Sequence, residues 1–352
     1  MLSVLLLSFC LSWGSDVPIP ADEDPFRVSE EMKQFLAANI GHGSDTVQQL
    51  ETLVRLVFQE NALHFTYEPL TRTAAETFNK RSGNCVSFTF LFLAMARHLG
   101  MNAQFREVDI VPIWSRVGNI ISMSGHANAA VSIGSQVYII DLFPQVNRVQ
   151  LGGRIVSDAR ALAHFFSNRG VNQLADGNPP GAVAYFQKSV ESDPATAFAW
   201  ANLGVAETLV GNFEEGEKAY LKALKLAPGE LVAMSNLAAL YERLGRSREA
   251  KAFTAKVTKF QLKNPYYHFS LGLQDYQSGD YRASLEHYKA ALKRKSTEHL
   301  FYLGLAKAHA QLGEMQKATA NLKLAAKYAP DELSKHRYNE KLALLASLQS
   351  RL

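Results

Sequence analysis

"AWANLGVAETLVGNFEEGEKAYLKALKLAP", residues 199–228, holds two apolar-striped segments joined at Gly211 and closed by Pro228. Its central glycine belongs to a register. Gly177, Gly211, Gly245, Gly279 and Gly313 follow one another at 34-residue intervals, and a fixed period of that length marks a repeat architecture.

Other positions fall into columns around these glycines. Seven residues upstream stand Gly170, Gly204, Ala238, Gly272 and Ala306, and five downstream stand Ala182, Gly216, Ala250, Ser284 and Ala318. Small residues in those columns predict close helix approach. Nine downstream are Phe186, Tyr220, Thr254, Tyr288 and Leu322, and seventeen downstream are Pro194, Pro228, Leu262, Ser296 and Pro330. This sequence of helix, glycine turn, helix and closing proline resembles the tetratricopeptide repeat family. The resemblance implies five repeats over 163–330, forming an all-α superhelix whose concave surface takes a protein or peptide. Residues 331–352 would cap it as one more helix.

With 352 residues and 47% hydrophobic content, the chain has material for two domains with real cores. Residues 1–162 carry 12 basic and 15 acidic side chains, a balance of −3, whereas 163–352 carry 25 and 18, a balance of +7. The basic residues of the second half are scattered rather than clustered, which argues against nucleic-acid binding.

The amino terminus, "MLSVLLLSFCLSWGS", is an apolar run followed by small residues and reads as a signal peptide over residues 1–15. It is too short to span a bilayer stably. Cys10 offers a second reading, lipoprotein processing and membrane anchoring through the amino terminus, although the bulky Phe9 before it opposes that. Either route predicts an exported protein, periplasmic or membrane-associated.

Between these regions, residues 22–155 read as an α+β domain. "TAAETFNKR" opens with a capping box, Thr73 to Glu76, and its helix is expected to end at Ser82-Gly83. "CVSFTFLFLAMARHLG" follows, apolar on nearly every face from Val86 to Ala96, so it predicts a buried central helix with Cys85 at its amino end. Unpaired backbone N–H groups and the positive end of the helix dipole stabilise a thiolate there. The alternative is a cysteine that merely packs.

The pattern then changes to alternation and β-branched residues. "NAQFREVDIV", "GHANAAVSI" and "QVYIIDLF" predict three strands, the last two joined at Gly134-Ser135. If that loop has two residues, Ile133 faces Gln136, Asn128 faces Asp141 and His126 faces Phe143. His126 and Asp141 are then diagonal neighbours on one face, about 7–8 Å apart along the backbone and within side-chain reach. Asp141 interrupts an apolar run and requires a partner, which His126 supplies. The other histidines, His42, His64, His98 and His164, share no predicted strand pair with a buried carboxylate.

Cys85 on a helix terminus, with His126 and Asp141 on adjacent strands, resembles the transglutaminase-like superfamily. Gly83-Asn84-Cys85 matches the Gly-x-Cys that opens its central helix. The resemblance covers about residues 70–145 and implies a central helix packed on an antiparallel sheet. It assigns Cys85 as nucleophile, His126 as general base and Asp141 as the orienting carboxylate, with no cofactor. Asn79, Asn84, Asn128 and Trp114 are candidate oxyanion or substrate contacts. One departure is "HANAAV", where the superfamily commonly has an aromatic shortly after the histidine.

No spacing of His, Cys or carboxylates predicts a metal, and "QLGGRIV" lacks the lysine of a phosphate loop. The sequence therefore predicts an exported thiol hydrolase or acyltransferase acting on an amide or peptide bond, with repeats that recruit a partner. The alternative is a non-catalytic tetratricopeptide scaffold bearing a degenerate transglutaminase-like domain.

Overall fold

The computed structural model describes residues 23–41, 45–58, 63, 65–110, 114–117, 120–123, 125–141, 150–330 and 332–349. The expected signal peptide with Cys10, His42, His64 and Phe143 lie outside the described residues. The chain divides into two compact units. The first holds the described residues up to 107, 126–141 and 154–233; the second holds those of 108–125, 150–153 and 234 onward.

The elements run in chain order as α1 (Glu30–Asn39), α2 (Thr46–Phe58), β1 (Thr66–Tyr67), α3 (Ala74–Lys80), β2 (Ser82–Gly83), α4 (Cys85–His98), β3 (Asn102–Ile110), β4 (Trp114–Val117), β5 (Ile120–Met123), β6 (His126–Ile133), β7 (Gln136–Ile140) and β8 (Gln150–Ile155). Helices then continue as α5 (Asp158–Ala175), α6 (Pro179–Ser192), α7 (Ala197–Leu209), α8 (Phe213–Leu226), α9 (Leu231–Arg243), α10 (Ser247–Lys263), α11 (Pro265–Ser278), α12 (Tyr281–Arg294), α13 (His299–Gln311), α14 (Met315–Lys327) and α15 (Glu332–Gln349).

The capping box read from Thr73 and Glu76 forms at the start of α3: Thr73 N–H donates to Glu76 (2.8 Å) and Glu76 N–H to the Thr73 hydroxyl (3.2 Å). α3 ends earlier than expected. Arg81 takes the left-handed conformation (φ 55°), its N–H closes on Thr77 O, and its guanidinium lies 4.6 Å from the Phe78 ring. Ser82-Gly83 is thereby freed to pair in parallel with Thr66-Tyr67.

Every residue of α4 from Val86 to Ala96 is buried, as its unbroken apolar sequence requires. Phe88, Phe90 and Phe92 are fully enclosed. The four-stranded sheet has the order β7-β6-β3-β8. In the β6–β7 hairpin Ile133 pairs with Gln136 and Ala129 with Ile140, the register of a two-residue turn, with Gly134 at φ 59°. Alternation fixes that register: Tyr138 and Ile140 pack on the core while Val137 and Ile139 face outward.

Two features differ from the expectation. The stretch 114–123, outside the three strands expected, is an antiparallel hairpin of β4 and β5 with Trp114 opposite Met123. The sequence between these strands, Gly118-Asn119, is a dipeptide that favours hairpins, so the signal was present. The second is β8, where two adjacent glycines hid a strand.

The repeat glycines have a single physical cause. All five are left-handed, with φ between 71° and 91°. In each turn the N–H after the glycine closes on the carbonyl five residues back, from Asn178 to Gln173 (2.8 Å), Asn212 to Glu207 (2.9 Å), Arg246 to Tyr241 (2.8 Å), Asp280 to Asp275 (2.9 Å) and Glu314 to His309 (2.9 Å). This Schellman closure needs a residue without Cβ strain at each turn.

The small-residue column answers the column sixteen positions on. A Cβ at Gly170 would lie 2.5 Å from the Phe186 ring, at Gly204 2.7 Å from Tyr220, and at Gly272 2.5 Å from Tyr288. Where the later residue is Thr254 or Leu322, the earlier one is alanine, Ala238 or Ala306. Each repeat therefore trades ring volume against a methyl group at the same helix crossing.

Within the first unit, α5 belongs to the core of the N-terminal domain. Phe165 is fully buried with its ring 5.3 Å from that of Phe90, and Ala161 joins the same cluster. Arg97 at the end of α4 grips Asp158 at the start of α5 by two hydrogen bonds of 2.8 and 2.7 Å. Arg169 of α5 donates to Thr71 O and pairs with Glu23.

Candidate active site

Cys85 is the first residue of α4, partly exposed and not in a disulfide. Its place is built by the residues around it. Asn84 caps the helix through its carbonyl oxygen, which accepts from Ser87 N–H (3.0 Å), while its amide donates to Thr71 Oγ1 (2.6 Å) and Pro69 O (3.2 Å). Ser87 Oγ in turn accepts from Arg72 N–H and reaches Leu70 O. A Cβ at Gly83 would stand 2.6 Å from Ser87 Cβ, so the glycine of Gly-x-Cys makes room for this cap.

His126 opens β6 and is 9% exposed. Its Nε2 lies 2.8 Å from Asp141 Oδ2, just past the end of β7, and Cys85 interacts electrostatically with the ring. Burial alone would disfavour a protonated ring. The hydrogen bond to Asp141, the interaction with Cys85 and the charge of Asp141 outweigh burial and raise its pKa from 6.5 to about 9. The imidazolium is therefore the form held between sulfur and carboxylate at neutral pH.

Asn128 lies two residues along β6, buried, with its amide donating to Asp141 Oδ2 (3.2 Å) and its carbonyl oxygen accepting from Arg106 Nη1 (3.3 Å). Asn79 is exposed in the last turn of α3, and Asn84 is committed to capping. Trp114 begins β4, and its side chain lies outside the described residues.

Sequence reasoning missed a second histidine–carboxylate pair. His164 Nε2 on α5 lies 2.7 Å from Glu107 Oε1 on β3, where Arg154 and Arg160 also converge, and the His164 ring stacks between Phe105 and Phe198. Burial would raise the Glu107 pKa, but His164 and Arg154 bring it down to about 2. The pairing runs from helix to strand, so strand register could not reveal it. The sequence signal was a glutamate within the strand "NAQFREVDI".

Two protein families match this chain over separate stretches. The transglutaminase-like superfamily matches residues 32–139, and the tetratricopeptide repeat matches 168–230 and 269–332. A transglutaminase-like domain is followed by tetratricopeptide repeats. Cys85, His126 and Asn128 all fall inside the first match, and Asp141 lies two residues beyond it.

Among curated proteins, the chain is 24% identical over 156 residues to the tetratricopeptide repeat-containing protein trd-1 of Caenorhabditis elegans, covering 44% of this chain and 20% of that one. It is 33% identical over 84 residues to Superkiller complex protein 3 of Mus musculus, covering 24% of this chain and 5% of the relative. The chain thus spans a fifth or less of these relatives. Similar solved structures include the Cut9–Hcn1 hetero-tetramer of the APC/C, at 19% identity and TM-score 0.29, covering 54% of this chain and 37% of that one. YrrB, a tetratricopeptide protein with an unusual peptide-binding site, matches at 16% identity and TM-score 0.27, covering 51% and 92%.

Proposed function

We propose that the transglutaminase-like domain is a thiol hydrolase or acyltransferase acting on an amide or peptide bond, and that the tetratricopeptide repeats recruit its protein or peptide partner. The observation that carries this reading is His126, 2.8 Å from Asp141 and in electrostatic interaction with Cys85 at the start of α4. With Nε2 committed to Asp141, Nδ1 is the nitrogen left to exchange a proton with sulfur.

In this scheme the thiolate of Cys85 attacks the substrate carbonyl and forms a carbon–sulfur bond, and the carbonyl π electrons move to oxygen. Backbone N–H groups in the first turn of α4 stabilise that oxyanion. The oxyanion collapses, the carbon–nitrogen bond breaks, and imidazolium His126 gives its proton to the departing amine. Water or a second amine then attacks the thioester while His126 takes its proton, the carbon–sulfur bond breaks, and sulfur leaves as the thiolate beside the imidazolium. Asp141 holds the ring in the required tautomer throughout.

The apolar run before Ser15 supports an exported enzyme, periplasmic or membrane-associated. Mass determination of the mature amino terminus checks cleavage near Ser15 against lipidation at Cys10.

The chemistry is tested by alkylating the full chain with iodoacetamide in a Cys10→Ala background, so that Cys85 alone reports. His126→Ala is expected to slow the reaction at neutral pH by about a hundredfold, the lower end of the scale of general-base assistance. A thiol indifferent to His126 would overturn the enzyme reading and leave a scaffold bearing a degenerate domain.

A further inference from the structure

We infer that Asn128 and Arg106 form a positioning pair that fixes the Asp141 carboxylate, and through it the His126 ring that faces Cys85. The inference rests on the acyl-transfer reading above and gives that site an outer layer.

Side chains two residues apart on a strand share a face, so His126 and Asn128 reach the same side of β6. They meet on one atom. Asp141 Oδ2 accepts from His126 Nε2 at 2.8 Å and from Asn128 Nδ2 at 3.2 Å. Two donors from alternate positions of one strand converge on that oxygen and orient the carboxylate.

An amide can serve as that second donor only if its nitrogen end faces the carboxylate. Arg106 decides this. Its guanidinium carries donors only, and Nη1 lies 3.3 Å from Asn128 Oδ1. Turning the amide over would set its oxygen against Asp141 and its NH2 against the guanidinium, losing both bonds and opposing like partial charges. Arg106 lies on β3, the neighbour of β6 in the sheet. Arg106, Asn128, Asp141 and His126 are therefore linked in order, each orienting the next. Asn128 is 2% exposed, so water does not replace either bond.

The test uses the full chain in the Cys10→Ala background and reads alkylation by iodoacetate and iodoacetamide against pH. The anionic reagent is drawn to the imidazolium, so the ratio of the two rates falls where His126 loses its proton. Asn128→Leu and Arg106→Met are each expected to move that fall about one pH unit lower, the scale on which one lost interaction shifts a titration. Arg106→Lys, which retains a donor, keeps most of the wild-type profile.

Wild-type profiles in folded Asn128→Leu and Arg106→Met, beside an altered profile in His126→Ala, would overturn the positioning role and leave the enzyme reading standing. Wild-type behaviour in His126→Ala as well would overturn both. If Asn128→Leu does not fold, Arg106→Met decides alone, because its side chain is only partly buried.

Discussion

His126 and Asp141 are joined by a 2.8 Å Nε2–Oδ2 bond across a hairpin whose Ile133–Gln136 closing pair puts both residues on one face. The bond ties the charge of the ring to the end of β7. Asp141→Asn removes that charge, and the alkaline transition of His126, measured by the iodoacetate-to-iodoacetamide rate ratio, should fall from about 9 toward 6.5. A transition that stays near 9 would show that Asp141 does not set the state of the ring.

Stability should respond to pH at two ends. The folded pKa of His126 is raised from 6.5 to about 9, so the folded chain holds an extra proton between those values. Its stabilisation is full below 6.5 and disappears as pH rises through 9. Glu107 behaves oppositely. Its folded pKa is lowered from 4.5 to about 2, so its contribution is present above 4.5 and lost as pH falls toward 2. Urea midpoints across pH should decline on both flanks, with His126→Leu flattening the alkaline flank and Glu107→Gln the acid one.

The crossing of α7 and α8 predicts a compensating pair. Gly204→Ala should gain about 1 kcal/mol of helix propensity but lose about 1–3 kcal/mol to overpacking against Tyr220, a net destabilisation. Adding Tyr220→Leu recreates the Ala306 and Leu322 combination of the last repeat, which share one core cluster. The double variant should therefore be more stable than Tyr220→Leu alone in denaturant melts. Additive effects of the two changes would contradict the crossing described.

Asn84 holds the helix end that carries the thiol. Asn84→Ala removes the cap and leaves Thr71 without its amide donor, so unfolding free energy should fall by about 1–2 kcal/mol. Alkylation of Cys85 should slow in the same variant. Unchanged stability would mean that the first turn of α4 is held by other contacts.

Much of this was legible because it is periodic or local. The glycine register, the capping box at Thr73 and Glu76, the apolar α4 and the two-residue turn at Gly134-Ser135 each follow from spacing along the chain, and spacing survives without a structure. The hairpin at 114–123 and strand β8 were passed over for a shared reason. Glycines interrupt both stretches, and a glycine serves equally in a turn, a loop or a strand.

Sequence alone determined the setting of Cys85 and the His126 and Asp141 face, since a helix start and a strand register are fixed by neighbours in the chain. It also determined the repeats, since each unit solves the same crossing with a glycine and a ring or an alanine and a smaller side chain. Tertiary structure decided what those neighbours could not. Phe165 sits in the core with Phe90, His164 on Glu107, and Arg106 on Asn128, across separations of 75, 57 and 22 residues. Contacts at such separations depend on how whole elements pack, because a buried charge or ring is satisfied by whichever group the fold brings beside it and not by its place in the sequence.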